Sequence, residues 1–88
     1  MIKGITDSGF EFEIDENSMN DMEVVDALAR MIDNDLLAMP ILSDKMLGKD
    51  QKKRLYDHIR KDDGRVLIED FTKEILDIFA KGGEATKK

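Results

Sequence analysis

The chain contains no cysteine, a single histidine and a single proline. Without thiols there is no disulfide framework, no thiolate nucleophile and no cysteine-based zinc site, and a reducing cytosol is the simplest compartment. His58 has no second histidine with which to hold a metal or shuttle a proton, so its place on the shoulder of a helix reads as structural. Ser8, Ser18 and Ser43 lie outside any nucleophile motif. No phosphate-binding pattern of the GxxxxGK or GxGxxG type occurs. The longest apolar run, Leu36 to Leu42, has seven residues including Pro40, against the roughly 20 needed to span a bilayer. The start, MIKGITDSGFEFEID, lacks the apolar centre of a signal peptide. The expectations are a cytoplasmic protein that is not an enzyme, takes no cofactor or metal and is not membrane-inserted.

What is present is charge and apolar side chains in nearly equal measure: 39% charged and 41% hydrophobic over 88 residues, with a net charge of −6. A chain this short buries only about 60 per cent of its unfolded surface and cannot divide its core, so one domain is expected. The charge is uneven. Residues 1 to 44 carry two basic and eleven acidic side chains, net −9, and residues 45 to 88 carry twelve basic and nine acidic, net +3. Such halves either neutralise each other within one fold or support head-to-tail self-association into a homo-oligomer. The basic group Lys49, Lys52, Lys53, Arg54, Arg60 and Lys61 is the one stretch that could meet phosphates. An acidic chain with no base-reading helix or stacking platform opposes that use, and no nucleic-acid partner is expected.

The pattern predicts an α+β, mainly α fold: an N-terminal β-hairpin followed by about four helices in a small single domain. Ile2 to Ile5 and Phe10 to Ile14 favour strand, and Thr6-Asp7-Ser8-Gly9 suits a tight turn, giving a hairpin over 2–14. Phe10, Phe12 and Ile14 alternate with Glu11 and Glu13, so one face is apolar and the other acidic. Helices are predicted at about 21–33, 40–47, 50–61 and 70–81, punctuated by Asn20 or Asp21 as a cap, Gly48 as a stop and Asp62-Asp63-Gly64 as a turn. The globular part then covers 1–81, and 82–88 is expected as a disordered tail after Gly82-Gly83.

Asp63-Gly64-Arg65-Val66 followed by Glu69 and Asp70 has the outline of a calcium-loop exit. With Gly64 at loop position six, Ile59 falls at position one and Lys61 at three, where carboxylates are required. Neither supplies one, which leaves a glycine turn leading into a helix. The apolar side chains are more informative. Met22, Val24, Val25, Leu28, Ala29, Met31 and Ile32 cover nearly half of one helical wheel, and Phe71, Ile75, Leu76, Ile78 and Phe79 make a second wide arc. A one-sided surface helix needs an arc of only about 100°. Five methionines, Met19, Met22, Met31, Met39 and Met46, add flexible thioethers suited to irregular cores and to varied apolar partners. Met22, Val25, Met31, Met39, Phe71, Leu76 and Phe79 are therefore the candidate partner-binding residues.

Several segments follow one another along the chain: Ser8-Gly9-Phe10-Glu11-Phe12-Glu13-Ile14-Asp15, Glu23-Val24-Val25-Asp26-Ala27-Leu28-Ala29, Leu47-Gly48-Lys49-Asp50-Gln51-Lys52-Lys53-Arg54-Leu55 and Asp63-Gly64-Arg65-Val66. Over about Met1 to Lys81 this order resembles the tail assembly chaperone-like proteins of long-tailed bacteriophages and prophages of Gram-positive hosts. The resemblance implies a non-enzymatic assembly factor in the host cytoplasm that binds the tape measure protein and helps tail tube protein assemble around it. It also implies, for many such genes, a longer form made by frameshifting near the 3′ end, with which the ending Lys87-Lys88 is compatible. The competing expectation is a self-associating structural or regulatory protein of phage or bacterium, without chaperone activity.

Overall fold

The computed structural model describes residues 1–86. Its elements in chain order are β1 (Ile2–Ile5), β2 (Glu11–Ile14), a 3-10 turn (Glu16–Asn20), α1 (Met22–Ile32), α2 (Ala38–Ile59) and α3 (Ile68–Thr86). The strands form the expected antiparallel hairpin, with Ile2 opposite Ile14, Gly4 opposite Phe12 and Ile5 opposite Glu11. Its turn is closed by the Gly9 N–H donating to the Thr6 carbonyl at 2.9 Å. Gly9 sits at φ 93°, the left-handed position that a three-residue hairpin loop assigns to glycine. Alternation does the rest: Phe10, Phe12 and Ile14 are buried, while Glu11 and Glu13 face solvent.

A two-stranded sheet is not stable alone, and here its apolar face lies on the helices. Ile2, Phe10, Phe12 and Ile14 join Val24, Ala27 and Met31 of α1, Leu42, Met46 and Leu55 of α2 and Phe71, Ile75 and Ile78 of α3 in a single buried cluster. Gln51 of α2 ties the sheet to that helix in a specific way. Its side-chain amide accepts from the Glu13 N–H at 2.8 Å and donates to the Glu13 carbonyl at 2.5 Å, taking both outward backbone groups of that residue.

Three α-helices are present, where about four are expected. The predicted 40–47 and 50–61 segments both lie in α2, which consists of two helical runs joined at a kink at Gly48, starts earlier, at Ala38, and ends at Ile59. Gly48 still interrupts the helical path, at φ 75° and ψ 170°, but the chain resumes its winding immediately instead of pausing in a loop. α1 ends as its sequence suggests. Asn34 takes φ 67°; its N–H donates to the Met31 carbonyl and that of Asp35 to the Arg30 carbonyl, the paired bonds of a Schellman cap.

The largest departure is at the other end. α3 runs from Ile68 through Gly82 and Gly83 to Thr86, so residues 82–86 of the expected tail are helical; Lys87 and Lys88 lie outside the described residues. The glycines do not stop the helix because packing has a use for one of them. Gly82 is buried, and a Cβ there would stand 2.6 Å from Ile14 Cδ1 and 3.3 Å from Met19 Sδ. Absence of a side chain lets α3 press against β2 and the 3-10 turn.

Candidate docking surface

α1 is built to bury one side and expose another apolar one. Asp21 caps it, its carboxylate accepting from the Glu23 N–H at 2.9 Å, and Glu23 adds negative charge to the first turn, both favourable at a helix N-terminus. Val24, Ala27 and Met31 point into the core. Met22, Val25, Ala29 and Ile32, spaced at three, seven and ten residues from the first, share the opposite flank by helical geometry. Met22 is 68% exposed, Val25 41% and Ile32 63%. Exposed large apolar side chains continue beyond the helix at Leu36, Leu37 and Ile41.

A second apolar feature is concave. Leu36, Met39, Pro40, Tyr56, Val66, Ile68 and Phe71 line an open groove of about 350 Å³ between the start of α2 and the start of α3. The Tyr56 and Phe71 rings meet edge to face with centroids 5.4 Å apart. The Thr72 hydroxyl donates to the Ile68 carbonyl at 2.8 Å and lies 3.8 Å from Met39 Sδ.

The seven candidate residues therefore do not form one site. Met22 and Val25 lie on the outer stripe of α1, and Met39 and Phe71 meet in the groove although each is largely buried. Met31 is 6% exposed and belongs to the core, on the side of α1 away from Met22. Leu76 is exposed on α3, whereas Phe79 is half-buried against the core cluster. The seven candidates leave out Ile32, although it belongs to the same apolar arc, and also Leu36, Leu37, Pro40, Tyr56, Val66 and Ile68. A signal was present for some of them: the run from Leu36 to Leu42 is too continuous for a helix that buries one face, so part of it had to remain outside.

Polar side chains gather where the hairpin turn meets α3. Thr6 and Ser8 of the hairpin turn both donate to Glu74 Oε1, at 2.8 and 2.9 Å, and Ser8 Oγ lies 3.0 Å from His58 Nε2. This places serine, histidine and glutamate together, yet in the wrong order for nucleophilic catalysis. A catalytic carboxylate orients the histidine through its far nitrogen and leaves the serine proton to the imidazole; Glu74 instead takes the serine's hydrogen bond. The arrangement fastens the turn to α3. A neighbouring clamp does the same: Asp77 accepts from the Asp7 N–H at 2.7 Å, and Lys81 joins Asp7 at 2.7 Å and Asp77 at 3.1 Å. The Asp7 backbone bond, with help from Lys81, holds the Asp77 carboxyl below its ordinary value, and the two carboxylates raise that of Lys81.

The Asp62-Asp63-Gly64 loop is closed on itself. Asp63 accepts from the Arg65 N–H at 3.0 Å and from its guanidinium at 2.7 Å, which lowers the Asp63 carboxyl. Lys61 pairs with Asp70 at 3.0 Å, joining loop positions three and twelve by an ion pair. Among the described residues no group of three or more His, Cys, Asp or Glu side chains is arranged to hold a metal ion. Likewise, no helix among them is long and apolar enough to cross a membrane. Of the basic group on α2 and the following loop, Lys52 pairs with Asp44, Arg60 with Asp57 and Lys61 with Asp70, while Arg54 lies over the Phe10 ring at 5.6 Å. Comparison of the chain with protein-family models, with curated proteins and with solved structures finds no match.

Proposed function

We propose that this chain is a non-enzymatic holder of an amphipathic helix belonging to another protein and, on the resemblance of its segments, a phage tail assembly chaperone whose client is the tape measure protein. The observation that carries the reading is the outer stripe of α1. A helix that already buries Val24, Ala27 and Met31 displays Met22, Val25 and Ile32 to solvent. Apolar surface arranged in this way beside a charged, solubilising exterior suits docking of a helix by its i, i+3, i+7 anchors. Thioethers at Met22 and Met39 suit a client whose side chains vary along its length. Tail tube protein is the second partner this reading names. The test is co-expression with the tape measure encoded in the same gene cluster: a complex that co-purifies supports the reading, and two soluble proteins that separate on the first column remove it.

Self-association is the competing reading, and the uneven charge of the chain favours it. It requires oligomers that dissociate as salt is raised in sedimentation experiments, and a monomer at low salt rejects it.

A further inference from the structure

Resting on the helix-holding reading, we propose that the Met22, Val25, Ala29 and Ile32 face of α1 takes a client helix whose apolar stripe is edged by lysine or arginine. The argument is electrostatic. Residues 21–35 carry five acidic side chains and one basic one. That one, Arg30, is already spent on Asp35 at 2.8 Å. Lys45 reaches only the N-terminal end, at 3.8 Å from Asp21 and 3.5 Å from Glu23.

Asp26 and Asp33 remain, and neither has an ion pair among the described residues. Asp26 lies four residues after Met22 and three before Ala29, and Asp33 lies four after Ala29, so both run along one edge of the stripe. The C-terminal end of the helix, beside Ile32, adds negative partial charge. A client helix with acidic borders would set like charges against this edge, whereas a basic one is drawn to it and held in register. The stripe runs over the eleven residues of α1, ten steps of rise or about 15 Å, which matches about three turns of a partner. The client motif is thus three to four apolar anchors at helical spacing with flanking cations.

The experiment uses the full chain and two fluorescein-labelled peptides of about 18 residues, five helical turns. One carries leucines along one face with lysines on both borders; the other has glutamate for every lysine. Fluorescence anisotropy at low salt is expected to show the lysine peptide binding at least about tenfold more tightly, with the gap narrowing as added salt shortens the screening length. Ile32→Asp and, separately, Val25→Asp should each weaken it about tenfold; both positions are exposed, and an unchanged melting temperature confirms folding. Asp26→Lys with Asp33→Lys should reverse the preference, while Glu11→Lys with Glu13→Lys, on the sheet's outer face, should leave it intact.

The proposal is overturned if neither peptide binds, if both bind equally, or if the Glu11/Glu13 reversal matches the Asp26/Asp33 reversal, since net charge alone then explains the binding. It is also overturned if sedimentation shows a dimer of this chain that Ile32→Asp dissolves. Failure of the chaperone reading looks different: the lysine peptide binds α1 but the tape measure does not. If the tape measure still binds the Ile32→Asp and Val25→Asp variants, the chaperone reading stands and this surface is the wrong one.

Discussion

Replacing Gly48 by alanine isolates a backbone effect from a packing one. Nothing lies within 4 Å of the position a Cβ would occupy at Gly48, so no clash opposes the methyl group. The obstacle is conformational: φ 75° with ψ 170° falls in a region that only glycine visits readily, and holding another residue there costs of order 1–3 kcal/mol. The alternative is to let alanine adopt helical angles and straighten α2. That would swing the second half of the helix away and withdraw Leu55, which is fully buried, at a cost of about 1.5–3 kcal/mol for that side chain alone. Gln51 would leave Glu13 as well. Accepting the strain is the cheaper route, so Gly48→Ala should destabilise by about 1–3 kcal/mol, although alanine at an ordinary helix position gains about 1 kcal/mol over glycine. For a domain of this size that is a fall of roughly 4–8 °C in Tm for each kcal/mol, read by far-UV circular dichroism. Gly83→Ala supplies the control. Its added Cβ would meet only Met19 Cε at 3.9 Å, and the substitution should raise Tm. A Gly48→Ala protein as stable as the parent would mean that α2 runs straight through residue 48, and the reasoning would be refuted.

Gly4→Ala should destabilise through packing, since a Cβ there would stand 2.5 Å from Phe12 Cζ and 2.9 Å from Cε2; a loss of about 1–3 kcal/mol in urea unfolding is expected, and none would show that the ring moves freely. Glu74→Ala leaves the buried Thr6 hydroxyl without its acceptor and should cost about 1–3 kcal/mol, with Glu74→Gln restoring most of it. For the clamp of Asp7, Asp77 and Lys81 the sign follows from the shifts. Asp77 is lowered in the folded state, so its contribution is complete above the unfolded value of about 3.9 and is lost as pH falls through the folded one. Lys81 is raised, so its contribution is complete below about 10.4 and is lost as pH climbs past the folded value. Tm against pH should therefore decline at both ends, and Asp77→Asn should flatten the acid limb; an unaltered limb would assign it to other carboxylates.

How far the sequence could be read depended on how local the governing physics was. The hairpin was legible because strand alternation, turn residues and register are settled within fourteen residues. The helix break at Gly48 was also local, but whether the chain turns away or resumes its winding depends on where Gln51 finds its partner, and that partner, Glu13, lies 38 residues away in the hairpin. Gly82 misled for the same reason. Its helix-ending tendency is a property of the residue, whereas its closeness to Ile14 and Met19 is a property of the assembled fold. On the surface, the wide apolar arcs showed correctly that α1 carries more apolar surface than one buried side uses. Met22 and Met31 are equivalent in such a count, and only the placement of α2 and the hairpin puts Met31 inside and Met22 outside.

The Gln51 amide has a consequence for association between molecules. A hairpin has two edges along which another strand can add, and stacking through both is how sheets grow without limit. On the β2 side Gln51 occupies the Glu13 backbone, so an arriving strand finds that rung already taken. The β1 side, where Lys3 and Ile5 turn their backbone groups outward by the register of the pair, is left open. With the Glu13 rung taken, Glu11 alone is left to pair on the β2 side, so strand addition is favoured at β1 and growth of the sheet through both edges is opposed.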